Sequence, residues 1–152
     1  AEALTAALRH DPDVLVVGEI RDPATATACV RAALTGHLVL TTVHAGRAGE
    51  VVPRLLEMGV EADLLLPALS GVLAQRLVRR RHAACQGRGC DDCRHGFHGR
   101  QMICDLLLVD ADSRQRLRQG QPAELLADLD HQAAALVSCG ETTNAELERV
   151  LG

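Results

Sequence analysis

Two groups of residues in this chain are of types, and at spacings, that can do chemistry. The first is Gly18-Glu19 with Arg21 and Asp22 behind it. The preceding Val14-Leu15-Val16-Val17 is an apolar, β-branched run bounded by Pro12 and Gly18, so it reads as a short strand buried on both faces. Glu19 then stands at a strand's carboxyl end, where parallel α/β sheets hold ligands. A carboxylate there can orient or deprotonate a water attacking a phosphoryl group and help hold hydrated magnesium. Gly18 leaves room for another group to approach the backbone. The strand pattern leaves open a plainer alternative, a surface Glu19 paired with Arg21. A second apolar run, Leu38 to Val43, contains Thr41 and Thr42 and ends at His44, in the topological position of Glu19. Its imidazole could donate a hydrogen bond to a terminal phosphate, or simply cap a loop. His37, ahead of that run, reads as mainly structural.

The second group is His82-Ala-Ala-Cys85 and Cys90-Asp-Asp-Cys93. Each pair has the two-residue spacing that turns two ligands onto one ion, and zinc takes four N or S ligands in a tetrahedron. Gly87 and Gly89 lie between the pairs and can make the reversal. The expectation is a closed, structural zinc site of three cysteines and one histidine that staples a small lobe with little core of its own. The alternative is three free thiols with His82 a bystander; His95 and His98 are further candidate ligands.

These groups need elements to carry them. A helix over residues 1–10 is expected, then the Glu19 strand, then a helix near 23–35 entered through Asp22-Pro23 and stopped by Gly36. The His44 strand follows. A helix over 48–58 contains Pro53. Leu65, Leu69, Val72, Leu73, Arg76 and Leu77 give helical spacing over 61–81, with Arg79-Arg80-Arg81 as favourable cations at its end. Residues 101–109 read as extended, and helices are expected near 111–118, 122–137 and 143–151, the last with Thr143 and Glu146 patterned as a cap with an acid in the first turn.

Composition narrows the classes. Net charge is −4 over 152 residues, which does not suggest a general nucleic-acid binder. No apolar run is long enough to span a bilayer, and no signal peptide is visible. Six cysteines without a secretion signal argue for a metal site or free thiols over a disulfide scaffold. Phe97 is the one aromatic, so Leu, Val, Ile and Ala must build the core. All 16 basic residues are Arg, and a P-loop requires Lys, so these residues contain no P-loop. With Ala1 in first place, the expectation is the carboxyl-terminal part of a longer protein, or a truncated copy.

The stretch Leu8-Arg9-x-x-Pro12-Asp13-x-Leu15-Val16-Val17-Gly18-Glu19-Ile20-Arg21-Asp22 resembles, at every position, the signature of the secretion ATPase superfamily, the motors of type II secretion and type IV pilus assembly. Thr35, Gly36, His37, Thr42 and His44 are similar to that family's histidine box. Met58-Gly59-Val60, Ala74 to Leu77, and Cys90, Cys93, Gly96, Phe97, Gly99 and Arg100 follow its later motifs in order. His82 departs from it, standing where the family has a Cys, and the four residues between the ligand pairs are fewer than in many relatives.

The resemblance implies a partial RecA-like P-loop NTPase core over 1–81, with a buried, mostly parallel sheet flanked by helices. A zinc lobe over 82–104 and a helical carboxyl-terminal subdomain over 105–152 complete the expected organisation. It implies ATP with Mg as cofactor of the full-length protein, Glu19 and His44 as catalytic residues, and Gly18, Arg21, His37, Thr42 and Arg76 about the nucleotide. It also implies a cytoplasmic homo-hexamer, peripheral at the inner membrane through platform and linker proteins of a secretion or pilus machine. Membrane contact would be indirect and no specific nucleic acid is expected. The alternatives in other classes are a degenerate, non-catalytic interaction module and a zinc-dependent nucleic-acid adaptor. Arg88, Arg94 and Arg100 permit the adaptor; Asp91, Asp92 and the shortage of aromatics oppose it.

Overall fold

The structure is a computed structural model and describes residues 2–121 and 127–152. It contains a parallel and an antiparallel sheet among helices. The chain divides into two units, Ala1–Val72 with Leu106–Leu126, and Leu73–Asp105 with Ala127–Gly152.

In the first unit, α1 (Glu2–Leu8) leads through a turn with Asp11 at φ 50° into β1 (Val14–Ile20). Helix α2 (Pro23–Leu34) is capped as its sequence predicts: the Thr25 amide and hydroxyl donate to the Asp22 carboxylate at 2.8 and 2.7 Å, and Pro23 opens the first turn. Gly36, at φ 101°, ends it. The Leu38 amide then donates to the Asp13 carbonyl at 2.9 Å and starts the pairing of β2 (Leu38–Val43) with β1, parallel from Val14↔Leu38 onward. A 3-10 turn over Ala48–Glu50 runs into α3 (Val51–Glu57). Because α3 starts at Val51, Pro53 lies in its first turn, where no intrahelical donor is needed. Helix α4 is Ala62–Ala68. Leu15, Ile20, Val30, Leu55, Leu65 and Leu66 form the core of this unit; burying Leu65 and Leu66, each 1% exposed, contributes about 1.5–3 kcal/mol apiece. Arg114 of α5 (Ala111–Arg118) donates to the Leu66 carbonyl at 3.0 Å.

Two expectations are corrected here. The sheet is not covered on both faces by the described residues: β1 and β2 alternate, with Leu15 buried while Val14, Val16, Leu38 and Leu40 are exposed. Nor does one helix fill 61–81. Pro67, which cannot donate to the preceding turn, sits at the end of α4; Leu69 is extended (ψ 121°), and β3 (Gly71–Arg81) begins. β3 pairs with β4 (Phe97–Leu108). The earlier part of the helix expected near 122–137 falls outside the described residues; its remainder is α6 (Leu129–Ser138), and α7 (Asn144–Leu151) follows.

In the second unit, Val78, Ile103, Leu129 and Ala133 form a small core. A buried acid reinforces it. Glu146 of α7 has no exposed side-chain surface and accepts from the Arg79 amide at 2.9 Å, the Arg79 guanidinium at 2.6 and 2.9 Å and the Arg149 guanidinium at 2.7 and 2.8 Å. Thr143 caps α7 by accepting from the Glu146 amide, while the Glu146 carboxylate turns inward to β3. The arginine run is therefore a strand edge fastened down, not a helix end. Arg79 holds Glu146, Arg80 pairs with Glu141 at 3.4 Å, and Arg81 donates to the Gln86 carbonyl at 2.6 Å and the Gly140 carbonyl at 3.4 Å.

Candidate functional site

Parallel pairing of β1 and β2 keeps register to Val17↔Thr41 and then slips, the next pair being Ile20↔Val43. β1 places Gly18 and Glu19 where β2 places Thr42 alone, so β1 bulges by one residue. The Thr42 hydroxyl donates to the Gly18 carbonyl at 2.7 Å and supplies a partner at the slip. A Cβ added at Gly18 would meet no neighbour within 4 Å, so the backbone there faces open space.

Glu19 emerges from this bulge with its side chain 35% exposed, and its Oε2 accepts from Arg21 at 2.7 Å. That hydrogen bond, above all, holds the carboxyl below its ordinary value of 4.5; desolvation opposes it, and the charges of Arg21 and His44 add to it. The same pair raises Arg21 above its ordinary value. His44 is exposed just beyond β2, and its field reaches Glu19. The loop after it is held by Glu50, whose Oε2 accepts from the Gly46 and Arg47 amides at 2.6 and 3.2 Å.

Two other expected site residues are carried by other segments. His37 sits at the opposite end of β2 from His44, seven residues and about 23 Å along the strand. Its Nδ1 lies 3.0 Å from the Ala32 carbonyl and 3.2 Å from the Thr35 hydroxyl, so it closes the end of α2. Arg76 is a β3 residue of the other unit and donates to the Gln75 carbonyl at 2.9 Å.

The second site is in the turn between β3 and β4. Ligand atoms of His82, Cys85, Cys90 and Cys93 all lie within 4.8 Å of one another. Sγ of Cys93 is 3.8 Å from that of Cys85 and 3.7 Å from that of Cys90, and Cys90 Sγ is 3.2 Å from His82 Nδ1. Zinc–sulfur bonds of about 2.3 Å at tetrahedral angles put sulfurs about 3.8 Å apart, and a mixed S–N edge is about 3.6 Å. The donor set and its spacing fit zinc. The Cys90 amide donates to Cys93 Sγ at 3.2 Å, which orients that sulfur. Burial pushes the Cys85 thiol up, but hydrogen bonding with His82, the Gly89 amide, Cys93 and the Gly87 amide outweighs it and brings the thiol down to about 6.

The reversal is built as its glycines suggest. Gly87, Gly89 and Gly96 have φ of 79°, 93° and 83°. Gly96 packs against the Gly87 backbone so closely that a Cβ would overlap it. The His82 and His98 rings lie 5.5 Å apart, and Arg79 stacks 4.4 Å over Phe97. Three features escaped the sequence: the Thr42 tether, the Glu50 loop clamp and the Glu146 hub. For Glu50 the only local signal is an acid four residues past a glycine, and such spacings are common.

Residues 1–149 match the family described as Type II/IV secretion system protein. The type II secretion system protein HxcR of Pseudomonas aeruginosa is 40% identical over 168 residues, covering 99% of this chain and 36% of that protein. The type II secretion system protein E of Dickeya dadantii is 38% identical over 182 residues, covering 99% and 36%. The type IV pilus assembly ATPase PilB of Thermus thermophilus is 40% identical over 157 residues, covering 85% and 18%. The chain thus spans little more than a third of HxcR and protein E. The fold is similar to that of the Legionella pneumophila ATPase DotB, with a TM-score of 0.74 at 24% identity, over 95% of this chain and 40% of DotB. By that family match, and by relatives about 40% identical across nearly its whole length, the chain belongs to the type II/IV secretion system protein family.

Proposed function

We propose that these residues are the water-activating and phosphate-sensing part of an ATPase that powers type II secretion or type IV pilus-like assembly. The observation that carries this is an acid and an imidazole at the carboxyl ends of two paired parallel strands, Glu19 in β1 and His44 just beyond β2. In this reading Glu19 accepts a hydrogen bond from the attacking water, and its pair with Arg21 extends its ionised form to lower pH than an ordinary glutamate's. His44 donates to the terminal phosphate. Magnesium, bound with the nucleotide, would neutralise charge on the phosphates. The P-loop must come from elsewhere, since no Lys is present. The exposed apolar side of β1 and β2 suits cover by the rest of such a core.

Residues 1–81 would carry the nucleotide chemistry, 82–104 a zinc-stapled lobe, and 105–152 a helical subdomain. The assembly would be a homo-hexamer working in the cytoplasm, at the inner membrane through partner proteins. Zinc held by His82, Cys85, Cys90 and Cys93 would be structural, since four protein ligands leave no open position.

The test joins this chain to a P-loop half in one polypeptide and measures ATP hydrolysis. The chain alone should hydrolyse negligible ATP, the joined protein should turn over, and Glu19→Gln should lower kcat by about 10²-fold or more. A silent Glu19→Gln would favour a non-catalytic interaction module.

A further inference from the structure

We propose that Thr42 is a positioning residue for Glu19, acting through the bulge and not through the nucleotide; this rests on the reading of Glu19 given above. The geometry is specific. The register slip puts two residues of β1, Gly18 and Glu19, against one of β2, Thr42. Bulges re-aim a side chain, but they also break ladder bonds and leave the backbone looser than a regular strand. Here the Gly18 carbonyl accepts from the Thr42 hydroxyl at 2.7 Å, across 24 residues of sequence. That bond fixes the peptide unit from which the Glu19 side chain departs.

The chemistry separates this role from direct binding. A hydroxyl has one proton, and that of Thr42 is committed to Gly18. Ionised phosphate oxygens are acceptors and need donors, which the Thr42 side chain then lacks. Its lone pairs can still accept from a water. The Thr41 hydroxyl, one residue earlier, makes a 3.5 Å contact with the Thr42 carbonyl of its own strand. Gly18 has no side chain to pack against the bulge, so the Thr42 hydroxyl is a side-chain restraint on that carbonyl. Displacing a reacting group by about 1 Å costs on the order of 10²-fold in rate.

The experiment uses the full-length ATPase that carries this chain, with Glu19→Gln, Thr42→Val and Thr42→Ser measured side by side. Val keeps the shape of Thr and a strand-favouring side chain; Ser keeps the hydroxyl. Thr42→Val should lower kcat about 10- to 50-fold with KM for ATP unchanged within about twofold, and Thr42→Ser should recover kcat to within about threefold of the parent. The Gly18 carbonyl carbon-13 resonance should move in the Val variant and return in the Ser variant, whatever the activity. A rise in KM at constant kcat would make Thr42 a ligand contact and overturn the proposal. So would an unchanged kcat in Thr42→Val, or a Ser variant as slow as the Val variant. If Glu19→Gln itself is silent, the catalytic reading of Glu19 fails, and the proposal with it.

Discussion

The carboxylate of Glu19 and the guanidinium of Arg21 form an ion pair at 2.7 Å, two residues apart at the end of one strand. The pair combines the two readings the sequence left open, since Glu19 is both paired with Arg21 and set at the carboxyl end of a parallel strand beside His44. Because the pair lowers the Glu19 pKa, the ionised form persists to lower pH than for an ordinary glutamate. Arg21→Met should raise the Glu19 pKa toward 4.5. In the full-length ATPase the acid limb of the kcat/KM profile should move to higher pH. Carbon-13 titration of the Glu19 carboxyl gives the same answer without turnover.

Cys93 is the centre of the second site, near both other sulfurs and receiving an amide bond from Cys90. Protein purified without chelator should carry about one zinc per chain by mass spectrometry, and Cys93→Ser should carry less than about a tenth of that. His82→Cys should retain full zinc, because a set of four thiolates is equally tetrahedral. Less than about half an equivalent in the parent chain would count against the site.

Glu146 is fully buried and has two arginines and a backbone amide for partners. Glu146→Gln should destabilise the second unit by about 2–3 kcal/mol, an amount below that of a wholly buried pair because both arginines are partly exposed. The Arg149 hydrogen bond, more than desolvation can oppose and with Arg79 adding to it, puts the Glu146 pKa far below 4.5. A depressed carboxylate stabilises fully above its unfolded value and loses that contribution as pH falls from about 4.5 toward the folded value. Urea and thermal unfolding in acid should show midpoint and Tm falling more steeply for the parent chain than for the Gln variant.

Gly96 combines a φ of 83° with contact against the Gly87 backbone. Gly96→Ala should cost more than about 2 kcal/mol and weaken zinc retention, whereas Gly18→Ala should leave stability within about 0.5 kcal/mol, because its Cβ would enter open space. Thermal unfolding of the two variants separates them.

Much of the first unit was legible because its signals are local. Asp22-Pro23 announced the start of α2, Gly36 its end, and the two apolar runs became β1 and β2. The stretch 61–81 misled because two periods overlap: Leu65, Leu69, Val72 and Leu73 fit a helix, while Leu73, Gln75 and Leu77 alternate with Ala74, Arg76 and Val78 as a strand requires. Pro67 sits where the helix gives out, with Leu69 already extended and the strand beginning at Gly71. The candidate phosphate site was readable as two polar ends of two strands, but the Thr42–Gly18 bond was not, because a register slip depends on how strands meet. The Arg79–Glu146 pairing spans 67 residues and has no local pattern behind it.

The bare side of the β1–β2 ladder has a practical consequence at the bench. Val16 is 77% exposed and Leu38 and Leu40 about half so, on a two-stranded ribbon rich in β-branched side chains. Expressed by themselves, these 152 residues should cling to chaperones, to detergent micelles and to one another. Light scattering of the purified chain, rather than its activity, is thus the first reading to take before any assay is trusted.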